Sequence, residues 1–334
     1  MQIEKKALYN SLRLNWLRDT SFQVEPWQVE DYRTVSTDEL LSRLSKFDIS
    51  LDRDNLIAYA ENFASPEDLA PYLANDDLPA READQIYLVS FELWRRFLPQ
   101  KQSLSIFCDE LDYQIHQYDE GLIDADSLQD IISYLEEILD ENSGEDADPS
   151  EVFESVSVCC AHDVEGFIYD YIAGQIDEEN HLYATELYES FQDYIGDTVW
   201  FDFLRARLNV LADVGEANDI IMEIIEDQNE GKDLELYLEI LPFLVQHGKW
   251  EVFISVLKAC FPHLEVEEDF REVLDHCVDF YTLRDNEEFG QPIQKILDKR
   301  ESIDPEQPVS MSDPDISLLA KQLELPFFLP RKTT

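Results

Sequence analysis

Basic residues are scarce in this chain: 25 Lys plus Arg stand against 74 Asp plus Glu in 334 residues, a formal charge of −49. Such a balance argues against direct contact with a nucleic-acid backbone or an anionic membrane, because both carry the same sign and repel the chain at long range. Glycine is scarce too, nine residues where an average of roughly 7% would place more than twenty, which leaves few sites for tight turns and favours helix. No apolar run approaches about 18 residues, so no bilayer-spanning helix is expected. Alternation of apolar and polar residues rarely survives four positions, so no strand is expected either. The five cysteines are odd in number and two are adjacent, which disfavours a disulfide framework and points to a reducing, cytoplasmic setting. The stretch Met1 to Asp19 has no apolar segment of the kind a secretory signal needs.

Apolar side chains are not lacking. Hydrophobic residues make up 44% and aromatics 12%, too many for a chain that stays unfolded. The acid excess is also uneven. The first fifty residues carry −1 and residues 101–200 carry −26. Between Lys101 and Arg205 lie 103 residues with 28 carboxylates and no Lys or Arg. A solvated face that maintains solubility is the plain reading; a surface that attracts a basic partner is the sharper one.

Helix signals recur from Leu40 to Ile296. Ser36-Thr37-Asp38-Glu39 reads as a capping box, and Ser65-Pro66, Asp148-Pro149 and Asp313-Pro314 each place a capping residue before a proline suited to the first helical position. Leu128, Ile131, Ile132, Leu135, Ile138 and Leu139 form an apolar stripe within a helix from about Asp124 to Glu141. Leu104, Phe107, Cys108, Leu111 and Ile115 form another, and the turn Asp119-Glu120-Gly121 joins the two as an antiparallel hairpin. We therefore expect an all-α fold of stacked helical hairpins: an N-terminal helical domain over 1–141, a polar linker over 142–150, a helical-repeat domain over 151–300, and a Pro-rich tail over 301–334 with one short helix, Asp313 to Leu323. The apolar segment Leu325 to Pro330 is expected to fold back into a groove or to serve as a docking peptide.

The C-terminal half contains an internal match with a period of 33: Leu208, Leu211, Gly215, Ala217, Ile221 and Ile224 align with Leu241, Leu244, Gly248, Trp250, Ile254 and Leu257. This helix, Gly-containing turn and second helix resembles the tetratricopeptide repeat and similar solenoid repeats. The resemblance implies an irregular α-solenoid that binds peptides or proteins along a concave face. Both copies lack the early aromatic and the closing proline that the family tends to have.

Candidate chemistry is thin. Cys260-x-x-His263 and His276-Cys277 contain zinc-ligand types, but adjacent helical residues point about 100° apart and would hardly share a metal. Cys159-Cys160-Ala161-His162-Asp163 offers a nucleophile and a base, although catalytic Cys and His are seldom neighbours in sequence. His116 to Ser127 has the glycine of a calcium loop without its carboxylates. No phosphate-binding glycine loop, nucleophile elbow or zinc-protease helix occurs. The expectation is a non-catalytic interaction scaffold, adaptor or chaperone-like, with no cofactor or metal and a basic protein as partner. Asp109, Asp112, Glu136, Glu137, Glu186 and Glu189 are the residues expected to meet it. The alternatives are a nucleic-acid mimic, whose helix-borne carboxylates imitate phosphates, and an enzyme without a local motif.

Overall fold

The computed structural model describes residues 4–74, 78–144, 147–195, 198–226, 233–310 and 312–323. The expected docking segment Leu325 to Pro330 lies outside the described residues. Contacts divide the chain into two compact units, Met1–Tyr171 with Asp193–Ile195, and Ile172–Gln192 with Gly196–Thr334. The division passes through a helix and lies C-terminal of the polar stretch 142–150. Among the described residues there are eighteen α-helices and no strand, only an isolated antiparallel bridge between Val266 and Pro308. The fold is all-α, as the periodicity implies.

Unit 1 is built from α1 (Glu4–Arg18), α2 (Pro26–Val29), α3 (Thr37–Ser45), α4 (Arg53–Ala60), α5 (Pro66–Leu73), α6 (Ala80–Phe97), α7 (Leu104–Asp119), α8 (Gln129–Asn142) and α9 (Pro149–Ser157). Ser36, Ser65 and Asp148 each accept a backbone N–H from the first turn of α3, α5 and α9, so these caps work as the sequence predicts. Helix α6 is buried without a break from Ile86 to Trp94 because α3, α4 and α5 all pack on it. Its C-terminal end fixes the chain before α3: Arg96 Nη2 donates to the carbonyls of Tyr32, Arg33 and Val35 at 3.1, 3.1 and 2.7 Å. Helices α7 and α8 follow one another as expected and meet through the edge-on rings of Phe107 and Tyr134, 5.2 Å apart, without the close packing expected of a hairpin. Gly121 closes α7 with a φ of 66°, a left-handed value that costs glycine least, and Asp124 caps a three-ten turn that leads into α8.

Helix α10 (Val164–Asp177) and helix α11 (His181–Ile195) each contribute to both units. Unit 2 continues with α12 (Val199–Asn209), α13 (Val214–Glu226), α14 (Leu234–His247), α15 (Trp250–Cys260), α16 (Glu267–Leu283), α17 (Glu287–Arg300) and α18 (Pro314–Gln322). Helices α12 and α13, α14 and α15, and α16 and α17 pack as successive hairpins; α14 also packs on α12 and α16, and α13 on α15. This stacking is compatible with a helical repeat, because each hairpin buries its apolar stripe only against the next. The 33-residue register is imperfect: α13 begins at Val214, so that Gly215 lies within the helix, whereas the aligned Gly248 precedes α15 and caps α14. Asp313 caps α18 through the N–H of Asp315, as its sequence predicts.

Candidate functional site

The lysine-free segment supplies the most exposed charge. Of its 28 carboxylates, 25 are among the described residues; twenty of these are exposed and two, Asp109 and Asp112, are buried. Glu137 on α8 and Glu186 and Glu189 on α11 stand exposed, and Glu136 is half-buried. Glu186 and Glu189, three residues apart, share one face of α11. Glu137 belongs to unit 1 and the glutamates of α11 to unit 2, so the six candidates form no single site within either unit.

Asp109 and Asp112 do come together, but inside unit 1. Helix α1 lies on α7 and brings Lys6 and Asn10 to the polar face of α7. Lys6 Nζ lies 2.7 Å from Asp109 Oδ1, and Arg33, on the turn held by Arg96, lies 2.6 Å from Asp109 Oδ2 and 2.8 Å from Glu110 Oε2. Asn10 Nδ2 donates to both Asp109 and Asp112, at 3.1 and 3.0 Å. Asp112 also accepts the backbone N–H groups of Ala161 and His162 at 2.8 and 3.0 Å, and His162 Nδ1 lies 3.0 Å from it. Burial would raise the pKa of Asp109, but Lys6 and Arg33 outweigh it and hold the carboxyl at about 2. These two aspartates are therefore a structural clasp between α1, α7 and the turn after α9, and not the solvated charges that α7 presents when read alone. The cavity beside them measures about 60 Å³. That volume is far below the roughly 300 Å³ at which ligand pockets begin.

The motif readings dissolve on geometry. His162 directs its Nδ1 to Asp112, whereas the thiols of Cys159 and Cys160 turn to the carbonyls of Ser155 and Val156. In unit 2, Cys260 and Cys277 are fully buried. His263 and His276 instead line a pocket of about 760 Å³ with Glu235, Glu265, Asp269 and Glu272. Among the described residues no three His, Cys, Asp or Glu side chains are grouped to hold a metal ion. A second pocket of unit 2, about 550 Å³, is aromatic, with Trp250, Phe280, Tyr281 and Phe289, and with the Arg284 guanidinium 3.5 Å from the Phe280 ring centroid.

Comparison with protein-family models, curated proteins and solved structures yields no match. The geometry alone carries the functional reading. Sequence reasoning misses α1 because only Ala7 and Tyr9 of that helix are buried. Its usable signal is polar: Lys6, Asn10 and Arg13, at i, i+4 and i+7, face the acidic side of α7 and Asp31. Arg33 and Arg96 leave no trace in any motif. Among the described residues no helix is long and apolar enough to cross a membrane.

Proposed function

We propose that the chain is a non-catalytic interaction protein, with tetratricopeptide-like stacking in its C-terminal half, that takes basic partners through the exposed carboxylates of residues 102–204. One observation carries this reading: twenty exposed acids in a segment without Lys or Arg. Eight of the eleven cations of the first hundred residues do not offset them. Lys5, Lys6, Arg13, Arg33, Arg43, Arg81, Arg95 and Arg96 all pair with carboxylates outside that segment or buried within unit 1, Glu110 being the partly exposed exception. Exposed charge of one sign steers an oppositely charged partner and makes association fast and salt-sensitive. Five free thiols support a cytoplasmic setting.

A fluorescent Lys/Arg-rich peptide, titrated by anisotropy at 50 and 200 mM NaCl, tests the reading. Binding should weaken by about tenfold or more across that range, since exposed charges are screened beyond roughly 10 Å at 0.1 M salt. Replacing Glu137, Glu154, Glu186 and Glu189 by Gln should weaken it more than the same change at Glu287, Glu288, Glu301 and Glu306, which are also exposed. Equal losses in the two sets would reduce the segment to a contributor of net charge. Displacement of a DNA-binding protein from duplex DNA, with no affinity for the peptide, would favour the nucleic-acid mimic.

A further inference from the structure

Aromatic side chains collect at one end of unit 2, where the start of α15 meets the end of α16 and the start of α17. Trp250 is the first residue of α15 and stands where the preceding copy of the 33-residue match has Ala217. Its ring lies 5.7 Å from that of Phe280 and 5.5 Å from that of Tyr281, both on the last turn of α16, and Tyr281 stacks on Phe289 of α17 at 5.6 Å. These four rings wall the pocket of about 550 Å³, within the roughly 300–1,000 Å³ of ligand pockets. Phe280 and Tyr281 are buried, but Trp250 and Phe289 are 38% and 43% exposed, so the wall presents aromatic surface to solvent. The Arg284 guanidinium is committed to the carbonyls of Val245, Phe280 and Gly248, at 3.0, 3.1 and 2.7 Å, so the pocket suits apolar side chains better than an anion.

The chain itself delivers such side chains to the rim. Leu323 lines the pocket directly after α18, and it is held there because Ile316, Leu319 and Ala320 are fully buried and Asp315 is bonded to Arg300 and Lys299. Eleven residues follow, Glu324 to Thr334, outside the described residues. Six of them in a row are apolar, Leu325-Pro326-Phe327-Phe328-Leu329-Pro330. At about 3.3–3.6 Å per residue, Phe327 lies within about 14 Å of Leu323, so the tether reaches the pocket with length to spare. Leu325 and Leu329 precede prolines, which favours extended backbone, and the two prolines have no N–H that burial would leave unpaired. Extended, proline-containing segments are a recurring ligand of aromatic-lined grooves. Charge fits as well: Arg331 and Lys332 close the segment, and Glu287 and Glu288 stand exposed next to Phe289. We infer that Leu325–Pro330 is the ligand of this pocket, an intrachain plug on Trp250, Tyr281 and Phe289 that any outside peptide of like chemistry has to displace. A short tether gives the plug an effective concentration in the millimolar range, so only a tighter or very abundant competitor enters.

The test places the photoreactive residue p-benzoylphenylalanine at position 327 of the full chain, irradiates it and maps the cross-links after trypsin. Cleavage at Lys249, Lys258, Arg271, Arg284 and Lys295 puts Trp250, then Phe280 with Tyr281, then Phe289 on three separate peptides. The probe peptide, 322–331, should join one or more of these within a single chain. In a second measurement, Phe327→Ser with Phe328→Ser in the full chain should clear the pocket. A fluorescent peptide of residues 324–334 should then bind this variant at least about tenfold tighter than the parent, whose own tail competes. Both substitutions lie beyond α18, and far-UV circular dichroism checks that the helices are retained. Cross-links absent from the three pocket peptides would overturn the inference, and so would cross-links found only between two copies on a denaturing gel, which would make a second chain the occupant. Equal affinity of the peptide for parent and variant, or no binding to either, would overturn it as well.

Discussion

Replacing Arg300 by Met should destabilise unit 2 by about 3–5 kcal/mol, the cost of leaving a buried charge without its partner. The Arg300 side chain is 5% exposed and that of Glu267 is 0% exposed. Their pairing is bidentate, with Nε to Oε1 at 2.8 Å and Nη2 to Oε2 at 2.5 Å. Arg300 Nη1 also reaches Asp313 at 3.0 Å and Asp315 at 3.1 Å, so a single guanidinium ties the end of α17 to the starts of α16 and α18. Methionine removes every donor, together with the guanidinium that lies 4.9 Å from the Phe270 ring centroid. Asp315 retains Lys299 at 2.8 Å and Asp313 is partly exposed, so the loss concentrates on Glu267. The N-terminus of α16 offsets about 0.3–1 kcal/mol of it. Against a total stability of about 5–15 kcal/mol, the change is large enough to read from a urea transition followed by circular dichroism. The diagnostic is the double variant Glu267→Met with Arg300→Met, which removes the orphaned charge and should return to within about 1 kcal/mol of the parent. The reasoning fails if Arg300→Met alone stays within 1 kcal/mol, or if the double variant is no more stable than the single one.

Three further outcomes follow from single contacts. Asn218 is fully buried; its Nδ2 donates to the carbonyls of Val214 and His247 at 2.7 and 3.0 Å, and its Oδ1 accepts the N–H of Lys249 at 2.8 Å. Asn218→Ala should therefore cost about 2–3 kcal/mol in urea unfolding, since the groups it leaves between α13 and the α14–α15 turn lose their partners; a loss below 0.5 kcal/mol would refute this. The two glycines aligned by the 33-residue period should respond differently. A Cβ at Gly248 would lie 2.5 Å from the Leu244 carbonyl oxygen, so Gly248→Ala should cost about 1–3 kcal/mol. At Gly215 the nearest atom is a side-chain oxygen, Oδ1 of Asp213 at 2.9 Å, which caps α13 and has to shift slightly, so Gly215→Ala should cost less than Gly248→Ala, within about 1 kcal/mol of the parent. Equal effects would restore their equivalence. Asp109 is held near pKa 2 from an ordinary 3.8, so its contribution is intact above pH 4 and is lost as pH falls through about 2. The shift corresponds to about 2 kcal/mol, at roughly 1.4 kcal/mol per unit. The stability gap between the parent and Asp109→Asn should shrink by that amount between pH 5 and pH 2; a gap independent of pH would remove Asp109 as its source.

Class and local starts were legible in this chain because they depend on near neighbours. Ser36, Ser65, Asp148 and Asp313 signal helix starts within three residues of themselves, and Leu128 to Leu139 signals a buried stripe within one helix. The candidate site was only half legible, since long-range partners decide it. On α7, Asp109 and Asp112 look like any solvated carboxylates until α1, 99 to 103 residues away, supplies Lys6 and Asn10. Glu267 and Arg300 likewise carry no signal that they would meet across 33 residues. The exposed glutamates Glu137, Glu186 and Glu189 needed no partner to be read correctly as surface.

Those buried pairs also sharpen the meaning of the net charge. Had the 25 cations been spread among the 74 acids, the surface would be mixed and weakly attractive to anything. Instead, Lys6, Arg33, Arg96 and Arg300 lie half-buried or buried, bonded to carboxylates or carbonyls. Folding thus withdraws positive charge from the solvent faster than negative charge, and residues 102–204 keep twenty exposed carboxylates. Screening of such a surface lowers its self-repulsion, so added salt should stabilise the free protein in the same range, 50 to 200 mM, in which it weakens a basic partner. Opposite signs for these two salt responses are what the proposed binding through exposed carboxylates requires. A salt-independent unfolding midpoint combined with salt-sensitive binding would instead place the attraction in a few local pairs.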